Sequence, residues 1–234
     1  APALGGGFGA ADDARTLALP GVERVVRLGS YAGSTPALAV VGRSSWHAQR
    51  GADALLVDWR PRPAGAVDLK AIMAALDAAA HDEAAGFAFH AQGDALAQVA
   101  ASHNKVEAVY RAPYLAHAAL EPINCTARVA DGRVEVWAPT QVPGLARALA
   151  AQVAGVEPKA VTLHVTYLGG GFGRRLDIDF VGQAVRVAME TNGAPVQLLW
   201  PREEDLRHDF YRPAGVARLR AALDSDGLLM ALAV

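Results

Sequence analysis

The stretch Val161–Asp179, VTLHVTYLGGGFGRRLDID, holds the residues best spaced for chemistry. Gly169, Gly170, Gly171 and Gly173 surround Phe172, and Arg174 and Arg175 follow. Glycines at this density let a backbone pass close to another group, because no Cβ intervenes. A phosphate cradle is one reading, but the dinucleotide fingerprint G-x-G-x-x-G fails: counted from Gly169 and Gly171, its third position is Arg174. The P-loop fails as well, for want of Gly-Lys-Ser/Thr. Two readings stay open. The loop is a packing turn between strand and helix, or it is a cofactor cradle in which unhindered N–H groups form an anion nest, Phe172 acts as a wedge and Arg174–Arg175 supply charge. A helix following the loop would add the partial positive charge of its N-terminus.

Three further groups bear on the site. His117, Glu121 and Cys125 recur every four residues in AHAALEPINC, which on a helix would stack three metal-ligand types. Pro122 opposes that helix because it removes an N–H within it. A strand-loop with a buried thiol and one hydrogen-bonded carboxylate is the simpler expectation. The densely charged WPREEDLRHDFYRP, Trp200–Pro213, reads as a salt-bridged loop partly pinned by Phe210 and Tyr211. Gln141, after Ala138-Pro139-Thr140, is a turn or surface residue on its own.

The elements that must position these residues follow from periodicity and punctuation. Alternation predicts strands over residues 21–28, 37–42 and 54–59, with a helix from Ser44 or Ser45 between the last two. RPRPAGA (60–66) reads as a linker. Helices are expected over 68–81, capped by Asp68, and over 93–102. A strand begins at Lys105 and loosens at Pro113. The run Ile123–Ala138 predicts a hairpin turning at Asp131-Gly132. A helix over 142–155 has Pro143 at its start and Gly155 past its end. The strand 161–167, a helix over about 177–192, the strand 196–200 and a final hairpin around 224–227 complete the chain. LGGGFG occurs also at Leu4; its flanks do not match and no strand precedes it, so the repeat reads as coincidence.

Composition bounds the class. The chain has 234 residues, 52% apolar, and a formal net charge of −2 with both signs mixed. This suits a packed globular protein and disfavours nucleic acid as the main partner. The single cysteine, Cys125, excludes a disulfide framework or a cysteine cluster within the chain. No apolar run approaches the ~18 residues of a membrane span. The first residue is not methionine and the last residues, LLMALAV, form an apolar strand, so the chain is expected to be a piece of a longer polypeptide.

Taken in order, EVWAPTQ, LGGGFGRR, PYLAHAALEPINCTA and REEDLRHDFYRPA resemble the molybdopterin-binding large subunit of the xanthine oxidase family of molybdenum hydroxylases. Within it the likeness is strongest to the isoquinoline oxidoreductase beta subunit and the bacterial aldehyde dehydrogenase large subunit. The resemblance implies an α+β fold: a hammerhead-like domain over 1–60, incomplete at its start, a linker with helices over 61–104, and part of the first molybdopterin-binding domain over 105–234. It implies that Gln141, Gly170, Gly171, Phe172, Gly173 and Arg174 contact the cofactor, with Gln141 at the molybdenum's oxo group and the Phe172 N–H at its ligand shell. It implies molybdopterin in the cytosine dinucleotide form, an iron–sulfur small subunit carrying 2Fe-2S clusters as partner, and the remainder of the large subunit.

The implied reaction is oxidation of an N-heteroaromatic or an aldehyde with water as oxygen source. The family's catalytic base lies beyond Val234, so no catalytic or metal-ligating residue is expected here and the chain alone should be inactive. Leu176 replaces the glutamate of purine-oxidising members, which disfavours a purine substrate. Bacterial cytoplasm and periplasm are both compatible with the family. A non-catalytic module that binds pterin or nucleotide, or serves subunit assembly, is the alternative.

Overall fold

The computed structural model describes residues 1–2, 4–84 and 86–234. In chain order the elements are β1 (Gly7–Asp12), α1 (Ala14–Leu17), β2 (Val22–Leu28), β3 (Ala37–Gly42), α2 (Ser45–Ala54), β4 (Leu56–Arg60), α3 (Leu69–Ala80), α4 (Ala95–Ala101), β5 (Lys105–Ala112), β6 (Asn124–Ala130), β7 (Arg133–Ala138), α5 (Pro143–Ala154), β8 (Val161–Val165), α6 (Asp179–Ala188), β9 (Val196–Leu199), α7 (Arg202–Arg207), β10 (Gly215–Leu223) and β11 (Leu229–Ala233). The mixture of helix and sheet is the α+β class expected. Local chemistry explains most boundaries. Asp68 accepts the Lys70 N–H at 2.9 Å and starts α3, and Asp94 accepts the Ala97 N–H at 3.0 Å and starts α4. Gly155, with φ 67°, ends α5 in the left-handed region. Asp131 and Gly132, φ 51° and 70°, form the turn between β6 and β7 that their sequence foretells.

The chain divides into two compact units, each assembled from distant segments. One comprises Ala1–Ala66 and Ala116–Phe210; the other comprises Val67–Leu115 and Tyr211–Val234. The second unit is the antiparallel sheet β11-β10-β5 with α3 and α4. Arg218 on β10 ties to Glu107 on β5 at 2.6 Å. Each unit joins segments distant in the chain; in the second, β10 pairs with β5, about a hundred residues earlier, over eight consecutive residue pairs.

The first unit holds the four-stranded sheet β8-β7-β6-β9 and two antiparallel pairs, β1-β4 and β2-β3. β7 alternates: Val134, Val136 and Ala138 are buried, while Arg133, Glu135 and Trp137 take the other face. The buried face packs on α6, whose Phe180, Val181, Ala184 and Val185 are fully buried, and on Ala146 and Ala150 of α5. Each such large apolar side chain contributes roughly 1.5–3 kcal/mol by leaving water. Alanines on α5 keep that helix close to α6. On the other face, Trp137 stacks on His164 of β8, with ring centres 5.1 Å apart.

The sequence reading leaves β1 out and takes the charged run after Trp200 for a loop. The first LGGGFG forms no loop of the second kind. Its Gly7 opens β1, which pairs with β4 across an irregular register. The charged run after Trp200 contains a helix, α7, rather than loop throughout. Glu203, Glu204 and Asp205 occupy its first turn, where the helix dipole favours negative charge.

Candidate functional site

β7 and β8 are parallel neighbours, in register from Val134↔Val161 to Ala138↔Val165, with α5 as the crossover between them. Their C-terminal ends therefore lie side by side. Gln141 follows the end of β7, and the glycine loop follows the end of β8. Clefts at the carboxyl ends of parallel strands are where α/β sheets hold ligands. The two segments are stitched together: the Gln141 N–H donates to the Arg175 carbonyl at 3.0 Å, and Thr140 Oγ1 donates to the same oxygen at 3.2 Å.

Within the loop Gly170, Phe172 and Gly173 have φ of 105°, 54° and 106°. At Gly170 and Gly173 that backbone excludes side chains, and at Phe172 it stores strain of order 1–3 kcal/mol. Phe172 projects outward, 66% exposed. Gly171 is small for another reason: a Cβ there would lie 2.8 Å from Gln141 Oε1. The Gly169 N–H donates to Glu121 Oε2 at 2.9 Å, and the Arg174 N–H donates back to the Gly171 carbonyl at 2.9 Å. Between them, the N–H groups of Gly170, Gly171, Phe172 and Gly173 find no acceptor among the described residues. Unpaired donors at this density, next to a carboxamide, make a cradle suited to an anionic or strongly accepting group.

Two buried arginines hold the loop in place. Arg175, with no exposure, donates from Nε to the Gly170 carbonyl at 2.9 Å and from Nη2 to the Glu121 carbonyl at 3.0 Å and Glu121 Oε2 at 2.7 Å. Burial pulls its guanidinium below the usual range, and the charge of Glu121 opposes the shift. Arg174, 2% exposed, grips Asp179 at the start of α6 in a two-point fork of 3.0 and 3.1 Å. Its Nε lies 3.1 Å from Asp209 Oδ1, at an angle that makes an ion pair without a hydrogen bond. Its guanidinium also sits 5.6 Å from the Trp200 ring centre and 5.2 Å from that of Phe210. Asp209 in turn accepts the His117 N–H and contacts His117 Nδ1 at 3.0 Å.

Two carboxyls beside this network are raised above their ordinary value. Burial is the main cause for both Asp177 and Asp205, opposed for Asp177 mostly by Arg174 and for Asp205 mostly by Arg202.

The structure thus brings Gln141, Gly170, Gly171, Phe172 and Gly173 to one place. Arg174 belongs to the same place but turns inward, as does Arg175, so the idea of the pair as free charges facing an anion gives way to a pair of buried struts. His117, Glu121 and Cys125 are not brought together: His117 joins Asp209, Glu121 joins Arg175, and Cys125 lies in the core on β6. Burial pushes the Cys125 thiol up to about 12. Glu121 is the hydrogen-bonded carboxylate expected in its segment, while its partner Arg175 and the anchoring roles of Asp179 and Asp209 were missed by sequence reasoning. Asp179, five residues after Arg174 at a helix start, carries a local signal; Asp209, 35 residues further on than Arg174, carries none.

Known proteins share this architecture. Residues 80–234 match the molybdopterin cofactor-binding domain, and the chain belongs to that family. It is 28% identical to the isoquinoline 1-oxidoreductase subunit beta of Brevundimonas diminuta over 94% of its length and 29% of that protein's. It is 30% identical to a membrane-bound aldehyde dehydrogenase (pyrroloquinoline-quinone) of Gluconacetobacter polyoxogenes, over 83% of the chain and 25% of the relative. The aldehyde oxidoreductase of Desulfovibrio gigas superposes with a TM-score of 0.72 at 19% identity, over 97% of this chain and 29% of that one, which shows a shared fold. The chain thus spans under a third of the length of these relatives.

Proposed function

We propose that the chain supplies part of the cofactor cradle of a molybdenum hydroxylase large subunit that oxidises an N-heteroaromatic compound or an aldehyde with water as oxygen source. The observation that carries this reading is the set of four N–H groups, Gly170 to Gly173, without an acceptor among the described residues, at the ends of two parallel strands and beside Gln141. The residues present fit the group. The loop offers donors without side chains in the way, and a Cβ at Gly171 would fill the space that Gln141 uses.

In this reading Gly170, Gly171, Phe172 and Gly173 hold the molybdopterin's anionic end through their N–H groups, and the Gln141 carboxamide contacts it from the β7 side. Fixed donors stabilise charge without reorganising when it shifts. Arg174 acts by position, through Asp179 and Asp209. When bound, the molybdenum centre supplies the two-electron oxidation; the protein supplies orientation and electrostatics. The names of the two sequence relatives, an isoquinoline oxidoreductase and an aldehyde dehydrogenase, support the substrate classes. Leu176, half-exposed just past the loop, offers apolar surface to such substrates. The cytosine dinucleotide form of the cofactor and a partner subunit with 2Fe-2S clusters complete the proposal. Cys125, buried and alone, cannot itself ligate a cluster.

The test is the molybdenum and pterin content of the full-length protein, purified natively with its partner. Stoichiometric molybdenum with release of cytidine monophosphate is expected. Folded, complete protein with neither would make the loop a packing turn and leave an assembly role.

A further inference from the structure

Beside the loop, the His117 ring is paired on one side only. The His117 side chain is 91% buried, since 9% of it remains exposed. Its Nδ1 is held 3.0 Å from both carboxylate oxygens of Asp209, and its own N–H also donates to Asp209. Asp209 is itself steadied by Arg174 Nε. These contacts fix the ring's orientation: rotating the imidazole would break the Nδ1 contact. Nε2, the other nitrogen, has no hydrogen-bond partner among the described residues. It faces the end of the glycine loop, where a Cβ built on Gly173 would lie 3.4 Å from it. The next residue, Ala118, has a φ of 47°, a strained conformation at the place where the chain turns the ring inward. Nε2 is not closed off from solvent, so a ligand lying over the loop can reach it.

We infer that His117 is a further cofactor-binding residue, its Nε2 accepting a hydrogen bond from an N–H or O–H group of the molybdopterin held over Gly173. This rests on the proposed function. With Nδ1–H given to Asp209, a neutral ring has only a lone pair left at Nε2. The cradle then has two kinds of contact: loop N–H groups that suit an anion, and a ring-nitrogen acceptor, beside the Gln141 carboxamide, that suits the polar hydrogens of a pterin. Asp209 and Arg174 are positioning residues for that acceptor.

Two variants of the full-length protein separate this role from a structural one. His117→Asn keeps an N–H near the Nδ1 position for Asp209 and removes the Nε2 acceptor. His117→Gln restores an acceptor at about the Nε2 position. The readouts are the rate at which pterin is lost on prolonged dialysis, followed by the fluorescence of the oxidised pterin, and the melting point of the cofactor-free protein. The expected result is that H117N loses pterin at least ~10-fold faster than the parent and H117Q stays within ~3-fold of it, both cofactor-free variants melting like the parent. Equal retention by H117N and the parent overturns the inference and leaves the proposed function standing. Faster loss in both variants, with a lower melting point, also overturns it by assigning His117 a structural part. A parent protein that carries no molybdenum and no pterin overturns the proposed function, and this inference with it.

Discussion

Arg175 and Glu121 are joined twice through one nitrogen: Nη2 donates to the Glu121 carbonyl at 3.0 Å and to its carboxylate at 2.7 Å. Glu121 passes that order on, because its carboxylate accepts the Gly169 N–H and its own N–H donates to the Gly169 carbonyl at 3.0 Å. The neck of the glycine loop is thus closed by a carboxylate lying 48 residues earlier in the chain.

Glu121→Ala should leave the fully buried Arg175 charge without its partner. Since a third of the Glu121 side chain is exposed, the loss should fall below the 3–5 kcal/mol typical of a fully buried pair, at about 2–3 kcal/mol. Hydrogen exchange checks it locally: the Gly169 amide should lose its protection in the variant while amides of β6 and β7 keep theirs.

The loop glycines should separate into two kinds. Gly170→Ala forces a side chain into a φ of 105° and should cost about 1–3 kcal/mol of stability. Gly171→Ala crowds only the flexible end of Gln141, with Leu168 at an ordinary contact distance of 3.5 Å, and should cost under about 1 kcal/mol, yet displace the carboxamide and weaken cofactor retention. Thermal melting of the cofactor-free protein and pterin content of the native protein read the two effects apart.

Arg174→Lys should not be conservative. An ammonium cannot span both oxygens of Asp179 while reaching Asp209, and it loses the planar contact with Trp200 and Phe210. A loss of about 2–4 kcal/mol is expected. Asp179→Ala, which strands a buried guanidinium, should cost at least as much. Denaturant unfolding of both variants beside the parent checks the order.

Cys125 should resist alkylation while the protein is folded. Burial raises its thiol from 9.0 to about 12, so at pH 8 almost no thiolate forms and no reagent reaches it. The sign of the linkage follows: the folded state holds the proton more tightly, so its contribution is constant below pH 9 and stability falls as pH rises from 9 towards 12. Iodoacetamide labelling with and without denaturant, and a Cys125→Ser comparison of alkaline unfolding, test both statements.

Much of the frame was legible from local chemistry. The β6–β7 turn needs only Asp131-Gly132, α3 only Asp68 and an apolar stripe, and α5 only Pro143 and Gly155, because caps, turns and period 3.6 act within a few residues. β1 was not legible, since GFGAAD has little alternation and becomes a strand only by pairing with β4. α7 was hidden in the same way: its six residues lack a visible apolar period, and Arg202 is anchored on the Leu120 carbonyl, 82 residues earlier.

For the site, the sequence by itself determined the donors: glycines that leave N–H groups bare, a phenylalanine among them, and a glutamine after an apolar strand. Tertiary structure decided what surrounds them. Parallel pairing of β7 with β8 puts Gln141 against Gly171, which no spacing along the chain foretells. It also decided that Arg174 and Arg175 point inward. A charge reads as surface in a sequence, because burying it without a partner is prohibitive, and here the partners Asp209 and Glu121 come from segments 35 and 54 residues away. Hydrophobic period and turn chemistry are local and survive in one dimension; charge compensation depends on which distant segments the fold brings together.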